Sequence, residues 1–159
     1  MEVIIHESYN INMLNKEFLD FLIEAKRNTY ASKSNETGSS RDGSVDYEYA
    51  KGDYKYRDSY VGSKYFSGQE IVWFKSKPYW SMNYIGRVFD DNFSGDFLKN
   101  ALKNVADTMP YRGPRKYEED DYVYICDADG NFDWFEGREI IFYKNKEIYE
   151  LKFHGEILR

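Results

Sequence analysis

Apolar residues fall at Leu14, Phe18, Phe21, Leu22 and Ala25, the three- and four-residue steps of one helix face. With Asn15 as a cap and Glu17 in the first turn, the spacing predicts an amphipathic helix over 15–30. An N-terminal arm, 1–13, holds His6. From residue 45 the period becomes two, and turn residues recur at Lys51-Gly52-Asp53, Gly62-Ser63 and Ser76-Lys77-Pro78. This predicts antiparallel strands near 45–50, 53–61, 68–75 and 79–88. Residues 90–94 offer caps for a second helix, with its apolar stripe at Phe97, Leu98, Ala101, Leu102 and Val105 and its end near Ala106. Four more strands are expected near 121–127, 131–136, 138–144 and 147–154, joined at Asp129-Gly130, Glu136-Gly137 and Asn145-Lys146.

Strands linked by short turns form an antiparallel meander, and two amphipathic helices suffice to cover one of its faces. The pattern therefore predicts a single α+β domain over 1–159, a curved meander of about eight strands with two helices on one face. Two stretches fit neither period. Residues 31–43 are rich in Ser, Asn and Gly, and 109–115 contain Pro110, Gly113 and Pro114. The first is long for a connection in a compact domain and is either disordered or the cover of a site, and the second, which cannot continue a helix, is a second candidate for an ordered loop.

Composition narrows the function classes. A chain of 159 residues can bury a substantial core, and 16 tyrosines, 11 phenylalanines and 3 tryptophans supply much of it. No apolar run approaches a membrane span, and the start lacks a basic segment followed by an apolar one, so neither secretion nor membrane insertion is expected. Cys126 is the one cysteine, which excludes an intramolecular disulfide and fits a reducing cytoplasm. A net charge of −6 disfavours direct nucleic-acid binding. Two histidines and one cysteine are poor material for a transition-metal site or a His-based triad, so neither metal nor cofactor is expected. Asp127, Asp129 and Asn131 alternate as calcium ligands do, but the glycine falls at Gly130 and Arg138 stands where the closing glutamate belongs. A hairpin is the reading there.

No residue set forms a specific catalytic signature, and the tyrosine-laden centre is what remains. Tyr54, Tyr56, Asp58 and Tyr60 share one strand face, with Trp80 and Tyr84 two strands on. A carboxylate among tyrosines is either bonded by their hydroxyls or pushed toward the raised pKa that acid–base chemistry uses. Glu70 raises the same question from the neighbouring strand. Asn83 and Arg87 occupy one face of the fourth strand, while Arg41 and Arg112 lie in the two irregular stretches. Three functions fit these residues. The first is a small-molecule-binding domain, in which Tyr54, Tyr56, Tyr60, Trp80 and Tyr84 stack on a polar or anionic ligand oriented by Asp58, Glu70, Asn83, Arg87, Arg41 and Arg112. The second is a metal-independent enzyme with Asp58 or Glu70 as acid or base. The third is an acidic protein-interaction or regulatory module. A homodimer is compatible with each.

Several runs also resemble a known family. They are Phe21-Leu22-Ile23-Glu24-Ala25-Lys26 with Thr29-Tyr30-Ala31, Ser40-Arg41, Gly43-Ser44, Gly52-Asp53-Tyr54 and Asp58-Ser59-Tyr60. Longer ones are 80–88 (Trp-Ser-Met-Asn-Tyr-Ile-Gly-Arg-Val), 92–99 (Asn-Phe-Ser-Gly-Asp-Phe-Leu-Lys), Pro110-Tyr111-Arg112-Gly113-Pro114 and Phe153-His154-Gly155. Together, from about residue 15 to the C-terminus, they are similar to a prokaryotic domain family of unknown function. Its members occur alone or behind a helix-turn-helix domain in transcriptional regulators, which implies a sensor or oligomerisation role in those fusions. With only a short arm ahead of the shared region, no DNA-binding part is expected here, and the resemblance does not carry DNA binding over. Relatives often read Arg-Pro-Gly-Ser-His-Asp where this chain has Arg41-Asp42-Gly43-Ser44-Val45-Asp46. If that histidine is a base in relatives, this protein must use another residue or none.

Overall fold

The computed structural model describes residues 2–31 and 36–159, with side chains placed at 15–29 and 36–159. Helix α1 spans Glu2–Ala31. The sheet strands are β1 Glu36–Thr37, β2 Val45–Lys51, β3 Tyr54–Gly62, β4 Tyr65–Phe74 and β5 Lys77–Val88. Helix α2, Gly95–Lys103, follows, and then β6 Lys116–Glu119, β7 Tyr122–Asn131, β8 Trp134–Tyr143 and β9 Lys146–Ile157. All pairings are antiparallel and the order is β1-β2-β3-β4-β5-β9-β8-β7-β6. Two meanders are thus joined where β9 pairs with β5. This is the α+β fold that the hydrophobic pattern predicts.

Cα partners across adjacent strands share a face, so the register defines the core. One face carries Tyr54, Tyr56 and Asp58 of β3, Glu70 and Val72 of β4, Trp80, Met82 and Tyr84 of β5, and Leu151 and Phe153 of β9. It continues with Phe135, Glu139 and Ile141 of β8 and Tyr124 and Cys126 of β7, and every one of these residues is buried. The helices cover this face. Phe18, Phe21, Leu22 and Ala25 of α1 are buried, with Phe21 stacked on Tyr54 at 5.0 Å. In α2, Phe97 stacks on Tyr122 at 4.9 Å, and Ser94 caps the helix by accepting from the Phe97 N–H. Arg27 of α1 donates to the carbonyls of Lys103 and Val105 at the end of α2, tying the helices together.

Several boundaries differ from expectation. Helix α1 begins at Glu2, so Asn15 lies inside it instead of capping it; no glycine or proline interrupts 2–31. His6 lies in α1 with its side chain outside the described positions, as residues 32–35 are altogether. Helix α2 stops at Lys103, short of Ala106. Two short strands, β1 and β6, are added, and the strands expected near 131–136 and 138–144 are one continuous strand, β8, which makes nine in all. The turns at Asp129-Gly130 and Glu136-Gly137 are also displaced. Strand β7 runs through Gly130, whose φ is +92°, and turns at Phe132-Asp133. Gly62, at φ +96°, holds the equivalent place before Ser63-Lys64, so in both hairpins the glycine marks a kink beside the turn. Gly137 lies mid-strand in β8, where a Cβ would meet the Phe153 ring at 2.2 Å and the Asp127 carbonyl at 2.5 Å. Its missing side chain makes room for a ring.

Gly137→Ala is therefore expected to cost about 1–3 kcal/mol through overpacking, whereas Gly38→Ala, with nothing within 4 Å, stays within about 0.5 kcal/mol of the parent. Urea denaturation of both variants measures the difference. Equal stabilities would show that Gly137 serves no packing role.

Candidate functional site

The register sets Asp58 of β3 directly opposite Glu70 of β4, on the face beneath the helices. Two adjacent carboxylates in a core need compensation, and each finds it differently. Glu70, fully buried, receives the ammonium of Lys26 from α1, with the Arg112 guanidinium 3.8 Å away. Lys26 Nζ also donates to the Tyr111 carbonyl at 2.6 Å and lies 5.6 Å from the Trp80 ring. Arg112 in turn donates Nε and Nη2 to Glu139 of β8 at 3.1 and 2.8 Å. Glu139 accepts further from the hydroxyls of Tyr124, at 2.6 Å, and Tyr149, at 2.8 Å. The Tyr124 hydroxyl accepts from the Gly113 N–H at 2.9 Å. One network thus fixes α1, β4, β7, β8, β9 and the 110–114 loop.

Asp58 is held otherwise. It is 5% exposed and accepts from the Tyr84 hydroxyl at 2.7 Å, and among the described residues no cation lies within 4 Å of it. Tyr84 reaches it from β5 across an intervening strand, because Gly68 faces the Tyr84 ring; a Cβ there would sit 2.3 Å from the ring. Burial, then the charge of Glu70, pushes the Asp58 carboxyl up to about 7, against the opposing pull of Tyr84, Arg112 and Lys26. Burial also lowers Lys26, partly offset by Glu70. Tyr84, Tyr124 and Tyr149 are raised well above the usual phenol range by burial and then by the neighbouring carboxylate, so they remain neutral donors. Burial and then Glu139 push the Cys126 thiol up to about 12, which leaves it unreactive.

Asp58 and Tyr84 form part of the wall of a cavity of about 460 Å³ between the sheet and α2. Tyr47, Tyr60, Phe66 and Phe93 add aromatic walls, Leu98 and Leu102 of α2 close one side, and Thr29 and Arg112 contribute polar groups. Lys99 and Lys103, both exposed, stand at its rim.

Four of the residues singled out from sequence meet here: Asp58, Tyr60, Tyr84 and Arg112. Glu70 belongs to the same buried cluster, one strand away from the cavity wall. Tyr54, Tyr56 and Trp80 share the face but fill the core, with Trp80 stacked on Phe135 at 5.8 Å. Arg41, Asn83 and Arg87 lie on the opposite face. Arg41 donates to the Ser59 carbonyl and hydroxyl at 2.9 Å, beside the Asp46 carboxylate that Ser44 and Ser59 bond. Asn83 accepts from Gln69, and Arg87 rests on the Tyr65 ring. Sequence reasoning missed Lys26, Glu139, Phe66 and Phe93. Lys26 and Thr29 continue the stripe of Phe18, Leu22 and Ala25 by steps of four, which was the available signal. Glu139 alternates with Phe135, Gly137 and Ile141, a pattern concealed by taking Gly137 for a turn.

Glu139→Gln removes the charge that Arg112 grips with two nitrogens and is expected to destabilise the protein by about 3–5 kcal/mol, measured by chemical denaturation; a loss within 1 kcal/mol would show the pair to be dispensable. For Asp58 the folded pKa lies above the unfolded one. Its contribution is therefore fully present below about pH 4 and is lost as pH rises through about 7. Asp58→Asn removes this dependence, so denaturation between pH 4.5 and 7.5 should show the variant gaining on the parent as pH rises. Parallel profiles would contradict the raised pKa.

No curated protein and no solved structure matches the chain. One family pattern does, over residues 58–158, well over half of the chain; it begins at Asp58 and takes in Glu70, Tyr84, Arg112 and Glu139. The chain belongs to the family described as domain of unknown function DUF5680.

Proposed function

We propose that this protein is a small-molecule-binding domain, a cytoplasmic ligand sensor whose ligand occupies the cavity at Asp58. The observation that supports this reading most is a hollow of about 460 Å³ walled by aromatic rings, with a buried carboxyl, Asp58, in its lining. Binding sites commonly take this form, a largely apolar concavity with few, well-placed polar groups. The cluster of Lys26, Glu70, Arg112 and Glu139 holds the cavity's polar groups in place from behind, as pre-organised recognition requires. A sensor role also fits the resemblance to domains that follow helix-turn-helix modules in transcriptional regulators.

A second reading rests on the same carboxyl. A group poised at about 7 and open to a cavity can exchange a proton with a bound substrate. Under that reading Asp58→Asn abolishes turnover while binding persists.

The ligand-binding reading is tested by a thermal-shift screen of nucleotides, sugars, amino acids and amines against the parent and Leu98→Trp, whose larger side chain occupies the cavity. A true ligand at a hundred times its Kd stabilises the parent by about 2.7 kcal/mol and leaves Leu98→Trp unshifted. Equal shifts in both, or no shift with any class, would overturn the reading.

A further inference from the structure

Among the described residues the buried charges of this site do not balance, and the surplus lies on the cavity wall. Three carboxylates, Asp58, Glu70 and Glu139, share the cluster with two cations, Lys26 and Arg112. Lys26 and Glu70 form a pair that is neutral whichever atom holds the proton. Arg112 grips Glu139 with two nitrogens and directs a third toward Glu70. Asp58 is the surplus acid. Its hydrogen-bond donor is a neutral phenol, and among the described residues no cation stands within 4 Å of it. A lone buried carboxylate must take a proton or a cation, and a cavity lets the cation come from outside.

We propose that the cavity binds a small organic cation, an ammonium or guanidinium group on an apolar body, whose charge docks on Asp58 in place of a proton. The inference rests on the ligand-binding reading above and names the ligand class. Tyr47, Tyr60, Phe66 and Phe93 supply the aromatic surface on which such cations settle, while the Tyr84 ring carries Arg112 at 5.3 Å. An anion finds less here. Arg112 is committed to Glu139, and Arg41 and Arg87 lie on the far side of the sheet. The exposed rim lysines, Lys99 and Lys103, repel polycations and favour a ligand whose outer end is neutral or negative.

Among the described residues the charged and titratable groups around Asp58 are Lys26 from α1, Tyr47 from β2, Tyr60 from β3, Glu70 from β4, Tyr84 from β5, Lys99 and Lys103 from α2, Arg112 from the loop and, behind it, Glu139 from β8. Tyr47 is pushed to about 12, chiefly by burial, and Tyr60 and Tyr84 are likewise raised. Of the groups on the cavity wall this leaves Asp58 to change charge near neutrality. Cation binding therefore expels a proton, and affinity falls about tenfold per pH unit below the Asp58 pKa.

The test titrates benzylamine, benzyl alcohol and benzoate into the full chain between pH 5.5 and 8.5. Tyrosine-ring NMR signals report the site, and calorimetry in buffers of differing ionisation heat reports protons. Benzylamine is expected to bind about tenfold more tightly at pH 6.5 than at 5.5 and to level off above about 7.5. It should release about one proton at pH 5.5, and the response should vanish in Asp58→Asn. Should that variant fail to fold, the parent's pH profile and proton release decide alone. Alcohol or benzoate binding as tightly as the amine would overturn the choice of a cation while leaving the ligand-binding reading intact. A pH-independent amine affinity, or no response to any probe, would overturn the inference, and the broader screen with Leu98→Trp would still judge that reading separately.

Discussion

Everything in this molecule hinges on placing charged groups inside an aromatic core and keeping them satisfied. Lys26 and Arg112 enter that core from outside the sheet, one from a helix and one from a loop, and Glu70 and Glu139 meet them from the two meanders. A charge buried without its partner costs several kcal/mol, so these contacts must form together or not at all. They fix how α1 lies on the sheet and anchor the 110–114 segment, which contains prolines and no regular structure. The hydrophobic stripe of α1 alone allows the helix to slide; a lysine that must reach one carboxylate does not.

The same arrangement explains why Asp58 differs from its neighbour across the strand pair. Both carboxylates are buried to a similar degree, yet one faces the helix bearing Lys26 and the other the gap beside α2. Environment, not residue type, separates their roles. The aromatic rings contribute twice: they bury area, and their hydroxyls supply neutral donors where another cation would not fit. Tyr84, Tyr124 and Tyr149 each direct a phenol at a carboxylate.

Much of the fold was legible in the sequence because alternation and turn chemistry are local. The hairpin at Gly52-Asp53 announces itself, the one expected at Asn145-Lys146 turns one residue earlier, at Lys144-Asn145, and Ser94 marks the start of α2. Gly130 and Gly137 misled for one reason: a glycine says that a side chain is excluded without saying whether a turn, a kink or a neighbour's ring excludes it. Asp58, Tyr60 and Tyr84 were readable as residues of one sheet face because they alternate within strands. Lys26 and Glu139 were not, since a charged residue on an apolar stripe reads as an interruption until its distant partner is known. The contacts between 26 and 70 and between 112 and 139 are non-local, and no periodicity encodes them. Arg41 and Arg87 show the converse, residues of suitable chemistry that the register assigns to the wrong side of the sheet for this cavity.

Gly68 has a meaning that reaches beyond its own strand. By yielding its place to the Tyr84 ring it lets a hydroxyl from β5 govern a carboxyl on β3, so three positions on three strands are coupled in space. Any side chain at 68 displaces the ring, and Asp58 then loses its donor. Evolution can alter the proton affinity of this carboxyl without touching the cavity wall, simply by filling a space in the strand between.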